Sequence, residues 1–212
     1  MRKFIWYILN KLKVASIVQL VLKSSLKEDG WFKSYYEKQA IDKKGNPIPW
    51  CSYPFIKFIE PRLKPSFEVF EYGCGNSTIW FANKVKNITS VEHHKEWYNN
   101  ISKKLPNNAK VVFKELMYDG EYSKAIFDEN KKYNIIIIDG RDRANCVKNA
   151  IKSLSDDGII VFDNAGLKQY QESIELIMLQ KFRRIDFIGA TPVIAHNNTT
   201  SIFYRNNNCL KI

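Results

Sequence analysis

The sequence predicts an α/β protein built on a doubly wound sheet of seven strands, six parallel and one antiparallel, with an N-terminal helical and loop extension. Three observations support this fold class. Short apolar runs alternate with helical patterns from residue 67 onward. Four consecutive isoleucines at 135–138 are typical of a central parallel strand that is covered on both faces. The last two predicted strands have no convincing helix between them, which favours a terminal antiparallel hairpin.

Length and composition indicate one substantial core. The chain has 212 residues, of which 45% are hydrophobic, so we expect an extension at 1–60 and one domain at 61–212. The formal net charge of +11 fits an RNA or an anionic membrane as partner, and equally a lysine-rich proteome without either. The four cysteines show no metal-ligand spacing, so we expect free thiols in a reducing cytoplasm.

Residues 1–27 are both basic and apolar, and the run at 14–22 is too short to span a bilayer. Asn10 and Lys11 interrupt the apolar region, which argues against a secretory signal. Two alternatives remain. An amphipathic helix could lie on a membrane surface, or a helix could pack against the domain or a second protomer, and we favour packing.

Residues 30–50 are aromatic and rich in turn signals, and they predict a loop followed by a short helix at 53–60. A loop with Trp31, Tyr35, Tyr36 and Trp50 could form a lid over a flat substrate such as a sugar. The alternative is that these rings only attach the loop to the core.

The remaining elements follow in alternation. The predicted strands are 69–72, 88–91, 110–113, 134–138, 158–162, 184–188 and 201–204. The predicted helices are 76–85, 95–105, 122–127, 144–154 and 169–181.

The first strand leads into an acid-x-Gly-x-Gly pattern formed by Glu71, Gly73 and Gly75. Glycine at such a turn lets a ligand approach the backbone closely. The second strand ends in Glu92, whose carboxylate can accept hydrogen bonds from both ribose hydroxyls of a nucleoside cofactor. A dinucleotide fingerprint has a third glycine where this chain has Thr78, so the pattern favours a different nucleoside.

This pattern resembles motif I of the class I S-adenosylmethionine-dependent methyltransferases. The resemblance implies a Rossmann-like sheet, with the seventh strand between the fifth and sixth, and S-adenosylmethionine as cofactor. Leu116, after the third strand, is expected by position to line the adenine pocket. The full set of expected cofactor-binding residues is Glu71, Tyr72, Gly73, Gly75, Ser77, Thr78, Glu92, His93, Leu116 and Asp139.

Residues 30–205 also resemble small bacterial methyltransferases that are often associated with surface-polysaccharide synthesis. The shared segments include GNPIPW, FEYGCGNST, SVEHHKEW and IDGRDR. This resemblance implies a sugar or glycan acceptor.

Asp139 follows the fourth strand, and Asp163 and Asn164 follow the fifth. This arrangement resembles metal-dependent O-methyltransferases, and it implies that these three residues hold Mg²⁺, which would activate an acceptor hydroxyl. The alternative is that Asp139 contacts only cofactor or substrate and that the other two residues shape a turn.

The general base is not settled by motif. Catechol-type enzymes have a lysine where this chain has Asp142, so Asp142 is the first candidate, with Asp139 also in the catalytic set and His94 or His196 in reserve. Arg141 and Arg143 could hold an anionic substrate group such as a uronate or phosphate, or they could pair with Asp142 at a helix start.

We therefore expect an S-adenosylmethionine-dependent methyltransferase that acts on an oxygen of a sugar or of a glycolipid or polysaccharide precursor. One alternative is an RNA methyltransferase, although the chain lacks an Asn/Asp-Pro-Pro-aromatic motif and we do not expect a nucleic-acid partner. The other is a non-catalytic interaction protein with a cofactor fold. We expect a cytoplasmic protein that could contact the inner face of the membrane and could form a homodimer.

Overall fold

The computed structural model describes residues 2–212, and its strands form one seven-stranded sheet in the order β3-β2-β1-β4-β5-β7-β6. The strands are β1 Glu68–Tyr72, β2 Asn87–Glu92, β3 Ala109–Phe113, β4 Tyr133–Ile138, β5 Leu154–Phe162, β6 Arg183–Ala190 and β7 Asn197–Tyr204. The helices are α1 Arg2–Lys11, α2 Ala15–Leu22, α3 Ser25–Asp29, α4 Trp31–Glu37, α5 Tyr53–Ile59, α6 Asn76–Ala82, α7 Lys95–Ser102, α8 Glu121–Lys124, α9 Arg143–Ser153 and α10 Gln171–Leu179.

The sheet has the predicted topology. β1 pairs in parallel with β2 and β4, and β4 pairs in parallel with β5. β7 lies between β5 and β6 and is antiparallel to both. The predicted fold class, the terminal hairpin and the insertion of the seventh strand are therefore confirmed.

The isoleucines of β4 divide the core into two layers, because successive side chains of a strand point to opposite faces of the sheet. Ile135 and Ile137 pack in one cluster with residues of α5 and α6. Ile136 and Ile138 pack in the other cluster with residues of α9 and α10. All four are almost completely buried, as expected for a central parallel strand.

α5 belongs to the first core layer. Ser52 caps the helix by accepting a hydrogen bond from the Phe55 backbone N–H at 3.4 Å, and Phe55 and Ile59 are fully buried.

The segment that precedes α5 was only partly predicted. The structure has a helix, α4, at Trp31–Glu37, where a loop was expected, and the loop begins after it. The Trp31 indole donates to the Ile194 carbonyl at 2.8 Å, which attaches α4 to the chain between β6 and β7.

Residues 2–29 form three short helices, and among residues 3–29 only Ala15 is buried. The apolar side chains stay open to solvent, with Phe4 and Leu12 each 65% exposed and Ile17 60% exposed. These apolar side chains therefore do not pack against their own domain, and packing against a second protomer stays a prediction. No helix within residues 2–212 is long and apolar enough to cross a membrane. All four cysteines are free thiols, as predicted.

Candidate active site

A cavity of about 530 Å³ opens at the carboxyl ends of β1, β2, β4 and β5. This is the edge of a doubly wound sheet where ligands bind. Its lining residues are Trp50, Glu71, Gly73, Cys74, Ser77, Glu92, His93, Trp97, Asp139, Gly140, Arg141, Arg143, Asp163, Asn164, Ile194 and Asn198.

The glycine turn forms the floor of this cavity. Gly73 has a φ of +93°, a left-handed conformation that side chains disfavour, and its N–H donates to the Val91 carbonyl at 2.9 Å. A Cβ on Gly73 would also lie 3.4 Å from the Asp139 carbonyl oxygen. Gly75 is extended, and a Cβ there would make only ordinary contacts, with Trp97 at 3.7 Å and Ser77 Oγ at 4.0 Å. The structure therefore requires glycine for backbone reasons at Gly73 and not at Gly75.

Glu71 ties the turn to the sheet. Its buried carboxylate accepts hydrogen bonds from the hydroxyls of Ser77, Thr78 and Ser90. Burial raises the pKa of Glu71 to about 7, and the three hydroxyls oppose that shift. Thr78 also accepts a hydrogen bond from the Gly75 N–H at 3.0 Å, so the residue that replaces a third glycine stabilises the start of α6.

Glu92 is held in a fixed orientation at the cavity wall. One carboxylate oxygen accepts from the backbone N–H groups of His93 and His94, both at 2.8 Å, and the other accepts from the Cys74 N–H at 3.2 Å. The side chain is 6% exposed. A fixed carboxylate beside a glycine turn supplies the acceptor to which two ribose hydroxyls of a nucleoside can donate, so these residues fit S-adenosylmethionine.

Four of the expected cofactor residues lie outside the lining of this cavity, and one of them, Gly75, lines the adjoining cavity described below. Tyr72 is fully buried and donates its hydroxyl hydrogen to the Ser123 carbonyl at 2.8 Å. Thr78 is buried below the turn, and Leu116 packs against the edge of the second core layer. His93 does line the cavity, with its ring edge-on to Tyr122 at 5.7 Å between ring centres.

Asp139, Asp163 and Asn164 converge as expected, but Arg143 occupies the space between them. Its Nη2 donates to Asp139 Oδ1 and to Asn164 Oδ1, both at 3.1 Å. Nη1 donates to the Asp163 carbonyl oxygen, and Nε donates to the Gly140 carbonyl oxygen at 3.0 Å. The guanidinium carbon also lies 4.5 Å from the centre of the Tyr170 ring. The cation that relieves carboxylate repulsion here is therefore an arginine.

The Asp163 carboxylate is satisfied by other partners. It accepts from the Thr200 hydroxyl at 2.6 Å and from the Asn198 amide at 3.1 Å, and the residue is 2% exposed. Among the side-chain oxygens of the predicted ligands, only Asp139 Oδ2 has no protein donor within the described residues, and an arginine already lies between the three side chains, so this arrangement does not fit Mg²⁺. Across residues 2–212, no cluster of three His, Cys, Asp or Glu side chains could hold a metal ion. The sequence pattern did not place Arg143 in the site, and the contacts of Arg143 do not support the metal prediction.

Asp142 and the two histidines do not reach the cavity. Asp142 accepts from the Asp119 N–H and from the Asn145 amide, both at 2.9 Å, so it connects the loop before α8 to the start of α9. His94 caps α7 by accepting from the Trp97 N–H at 3.3 Å. His196 is exposed in the loop before β7. None of the three is positioned as a general base for a ligand in the cavity.

Of the residues predicted to be catalytic, Asp139 is the one whose carboxylate lies in the wall of the cavity. Its side chain is 30% exposed, and within the described residues only Oδ1 accepts a hydrogen bond, from Arg143. Burial and the charge of Asp163 raise the pKa of Asp139, while Arg143 opposes the shift. Oδ2 is therefore available to a ligand hydroxyl.

Two tryptophans line the cavity, of which Trp50 was named from the sequence and Trp97 was not. Trp97 on α7 donates its indole N–H to the Cys74 carbonyl at 2.6 Å, and Trp50 stands in the loop before α5. Both rings are 47% exposed, and both also line a second cavity of about 420 Å³. The only signal for Trp97 was an aromatic residue in the first turn of a helix that follows the second strand.

Residues 70–165 match a family model described as a methyltransferase domain. An O-methyltransferase from Bacillus cereus, solved in complex with S-adenosylhomocysteine, is 17% identical, with 91% of this chain and 97% of that chain covered and a TM-score of 0.56. A precorrin-6y C5,15-methyltransferase from Geobacter metallireducens is 14% identical, with 81% and 96% covered and a TM-score of 0.58. An rRNA methylase from Streptococcus thermophilus is 11% identical, with 71% and 96% covered and a TM-score of 0.51.

No curated protein sequence matches the chain. The three structures are named for different reactions, and at this identity they show a shared fold alone. Residues 70–165 thus match a methyltransferase domain, and the strand order and the glycine turn are those of the Rossmann-like methyltransferase fold.

Proposed function

We propose that the chain transfers a methyl group from S-adenosylmethionine to a hydroxyl oxygen of a sugar, or of a glycolipid or polysaccharide precursor. The observation that carries this proposal is the position of Asp139. Its carboxylate lies in the wall shared by both cavities, together with the two half-exposed tryptophans and the residues after the glycine turn.

The cofactor side of the site consists of the turn and Glu92. The backbone at Gly73 leaves room for a ligand, and the fixed carboxylate of Glu92 can accept from ribose hydroxyls. When bound, S-adenosylmethionine supplies an electrophilic methyl group on its sulfonium. The residues of this chain then have to orient the acceptor oxygen and remove its proton.

The acceptor side supports an oxygen nucleophile. Asp139 Oδ2 can accept the proton of an acceptor hydroxyl, while Arg143 holds Oδ1 and fixes the orientation of the carboxylate. Trp50 and Trp97 offer apolar faces with a polar edge, which suit the flat face of a sugar ring.

The test is a radiolabelled methyl-transfer assay that compares nucleotide sugars, lipid-linked sugars and total RNA as acceptors. We expect label in a sugar fraction and loss of that label in Asp139→Asn, with S-adenosylhomocysteine binding retained. Label in RNA alone would replace this proposal with the RNA methyltransferase alternative. Absence of S-adenosylhomocysteine binding would remove the enzymatic proposal altogether.

A further inference from the structure

The second cavity, of about 420 Å³, adjoins the first and shares five lining residues with it, Trp50, Cys74, Ser77, Trp97 and Asp139. Its outer part is lined by three lysines. Lys38 ends α4, and Lys103 and Lys104 follow α7, so residues distant in sequence bring their positive charges to one cavity.

None of these lysines has a carboxylate within 4.0 Å in the part of the chain that the structure describes, although thirteen ion pairs of other lysines and arginines are formed there. Lys38 Nζ instead lies 4.0 Å from the centre of the exposed Tyr35 ring. The single carboxylate in the lining is that of Asp139, which is already paired with Arg143. The outer cavity is thus positively charged and not neutralised by the protein.

We propose that this cavity binds a phosphate ester carried by the acceptor sugar, with Lys38, Lys103 and Lys104 as its cationic contacts. This inference rests on the proposed function, because it names the substrate class of the same site. The tryptophans and Asp139 contact the sugar, and the lysines hold its phosphate at the outer end.

Lysines near a helix C-terminus also interact favourably with the helix dipole, and Lys103 and Lys104 gain that contribution. The dipole gives no reason for Lys38 to line the same cavity from a different helix. The other polar lining residues, Gln39, Asn76 and Asn100, are of the type that hydrogen-bonds sugar hydroxyls. A confined cavity with three cations favours a small phosphorylated sugar over a polynucleotide, which requires a stripe of charge along its backbone.

The test is calorimetric titration of protein saturated with S-adenosylhomocysteine, with a neutral hexose, the hexose 1-phosphate, a uridine diphosphate hexose and a short-chain polyprenyl diphosphate hexose as probes. We expect each phosphorylated probe to bind roughly tenfold or more tightly than the neutral hexose, with affinity falling as salt rises. The nucleotide and polyprenyl probes distinguish a soluble from a lipid-linked source of the phosphate.

The triple variant Lys38→Met, Lys103→Met, Lys104→Met should bind all probes as weakly as the neutral hexose. Its affinity for S-adenosylhomocysteine should be unchanged. The matched control replaces three exposed lysines outside both cavities, Lys148, Lys152 and Lys168, by methionine and should keep the preference for phosphate. If the triple variant does not fold, the three single variants should each lower phosphate affinity by about twofold or more, because three equal and additive contributions of about twofold multiply to roughly tenfold.

Two results would overturn the inference while the proposed function stands. One is equal binding of neutral and phosphorylated hexose. The other is loss of S-adenosylhomocysteine binding in the triple variant, which would assign the lysines to the cofactor carboxylate. Displacement of the sugar phosphates by a short RNA at lower concentration would also overturn it, in favour of a nucleic-acid acceptor. If wild-type protein fails to bind S-adenosylhomocysteine, the proposed function fails instead.

Discussion

Replacing Arg143 by methionine would remove the cation that holds the two strand-end carboxylates together. Arg143 donates to Asp139, Asn164 and two backbone carbonyls, and its side chain is 5% exposed. Methionine fills much of the same volume against Tyr170 but leaves these oxygens without a donor. We therefore expect Arg143→Met to fold, with a large loss of stability.

The magnitude follows from the burial of the ion pair. Removing one partner of a buried pair costs about 3–5 kcal/mol, and because the Asp139 side chain is 30% exposed we expect about 3 kcal/mol. For a chain of this size, 1 kcal/mol shifts the melting temperature by about 2–4 °C, so the variant should melt about 6–12 °C lower. Without Arg143 the pKa of Asp139 rises further, so the native state binds a proton more tightly. The loss should accordingly be larger at pH 8 than at pH 5.

The assay is calorimetric unfolding of wild type, Arg143→Met and the matched control Arg141→Met. Arg141 lines the same cavity, is exposed and has no carboxylate partner within 4.0 Å among the described residues, so its loss should change stability by about 0.5 kcal/mol or less. Wild type should also be indifferent to Mg²⁺ and to chelator in melting temperature, and it should not bind Mn²⁺ in titration. Equal melting of the two variants, or stabilisation of wild type by Mg²⁺, would refute the assignment of Arg143 as the cation of this site.

In calorimetric titrations, Gly73→Val should abolish S-adenosylhomocysteine binding because the left-handed turn cannot hold a branched side chain, and Glu92→Ala should weaken it by roughly 10–100-fold; a preference for NAD would contradict both expectations. Glu71, with a folded-state pKa raised to about 7, contributes stability that is fully present below about pH 4.5 and lost as pH rises to about 7. That loss is about 3 kcal/mol, and urea unfolding should show it in wild type and not in Glu71→Gln. We propose that residues 1–27 bind anionic membranes, so the chain should float with anionic vesicles, less so in high salt, and deletion of the segment should end flotation; unchanged flotation after deletion would exclude this role.

Much of the sheet could be predicted from local pattern because its strands are short, apolar and regularly separated. β4 was predicted within one residue, since an isoleucine run has few alternatives in an α/β chain. Element ends were less accurate. α6 was predicted to end at residue 85, but it ends at Ala82. β5 was predicted to begin at residue 158, but it begins at Leu154 and includes Ser155 and Asp156. Tertiary pairing overrides local propensity at such positions.

The parts of the site that depend on a turn or on a strand end could also be predicted from the sequence. Gly73 and Glu92 act through a turn and a strand end, and both features are visible in a short segment of sequence. The aromatic segment at 31–37 was predicted as loop because the turn residues that follow it at 44–49 dominated the pattern. Ser34 is buried, however, and donates to the Gln39 carbonyl just after the end of α4. The network of Asp163 with Asn198 and Thr200 joins β5 to β7, and sequence spacing alone does not give that contact.

The contacts that Arg143 makes limit which groups of the site could bind and activate an acceptor hydroxyl. A metal ion at this position would have left coordination sites for acceptor oxygens, and it would have lowered the pKa of a bound hydroxyl. A guanidinium whose donors are directed to Asp139, Asn164 and two carbonyls offers no comparable site. Under the proposed function, proton removal is assigned to Asp139 Oδ2, the carboxylate oxygen left open toward the cavity, and positioning of the acceptor is assigned to the exposed tryptophans and the lysines of the second cavity. The proposed phosphate contact would then position the acceptor oxygen where a metal ion would otherwise have bound it.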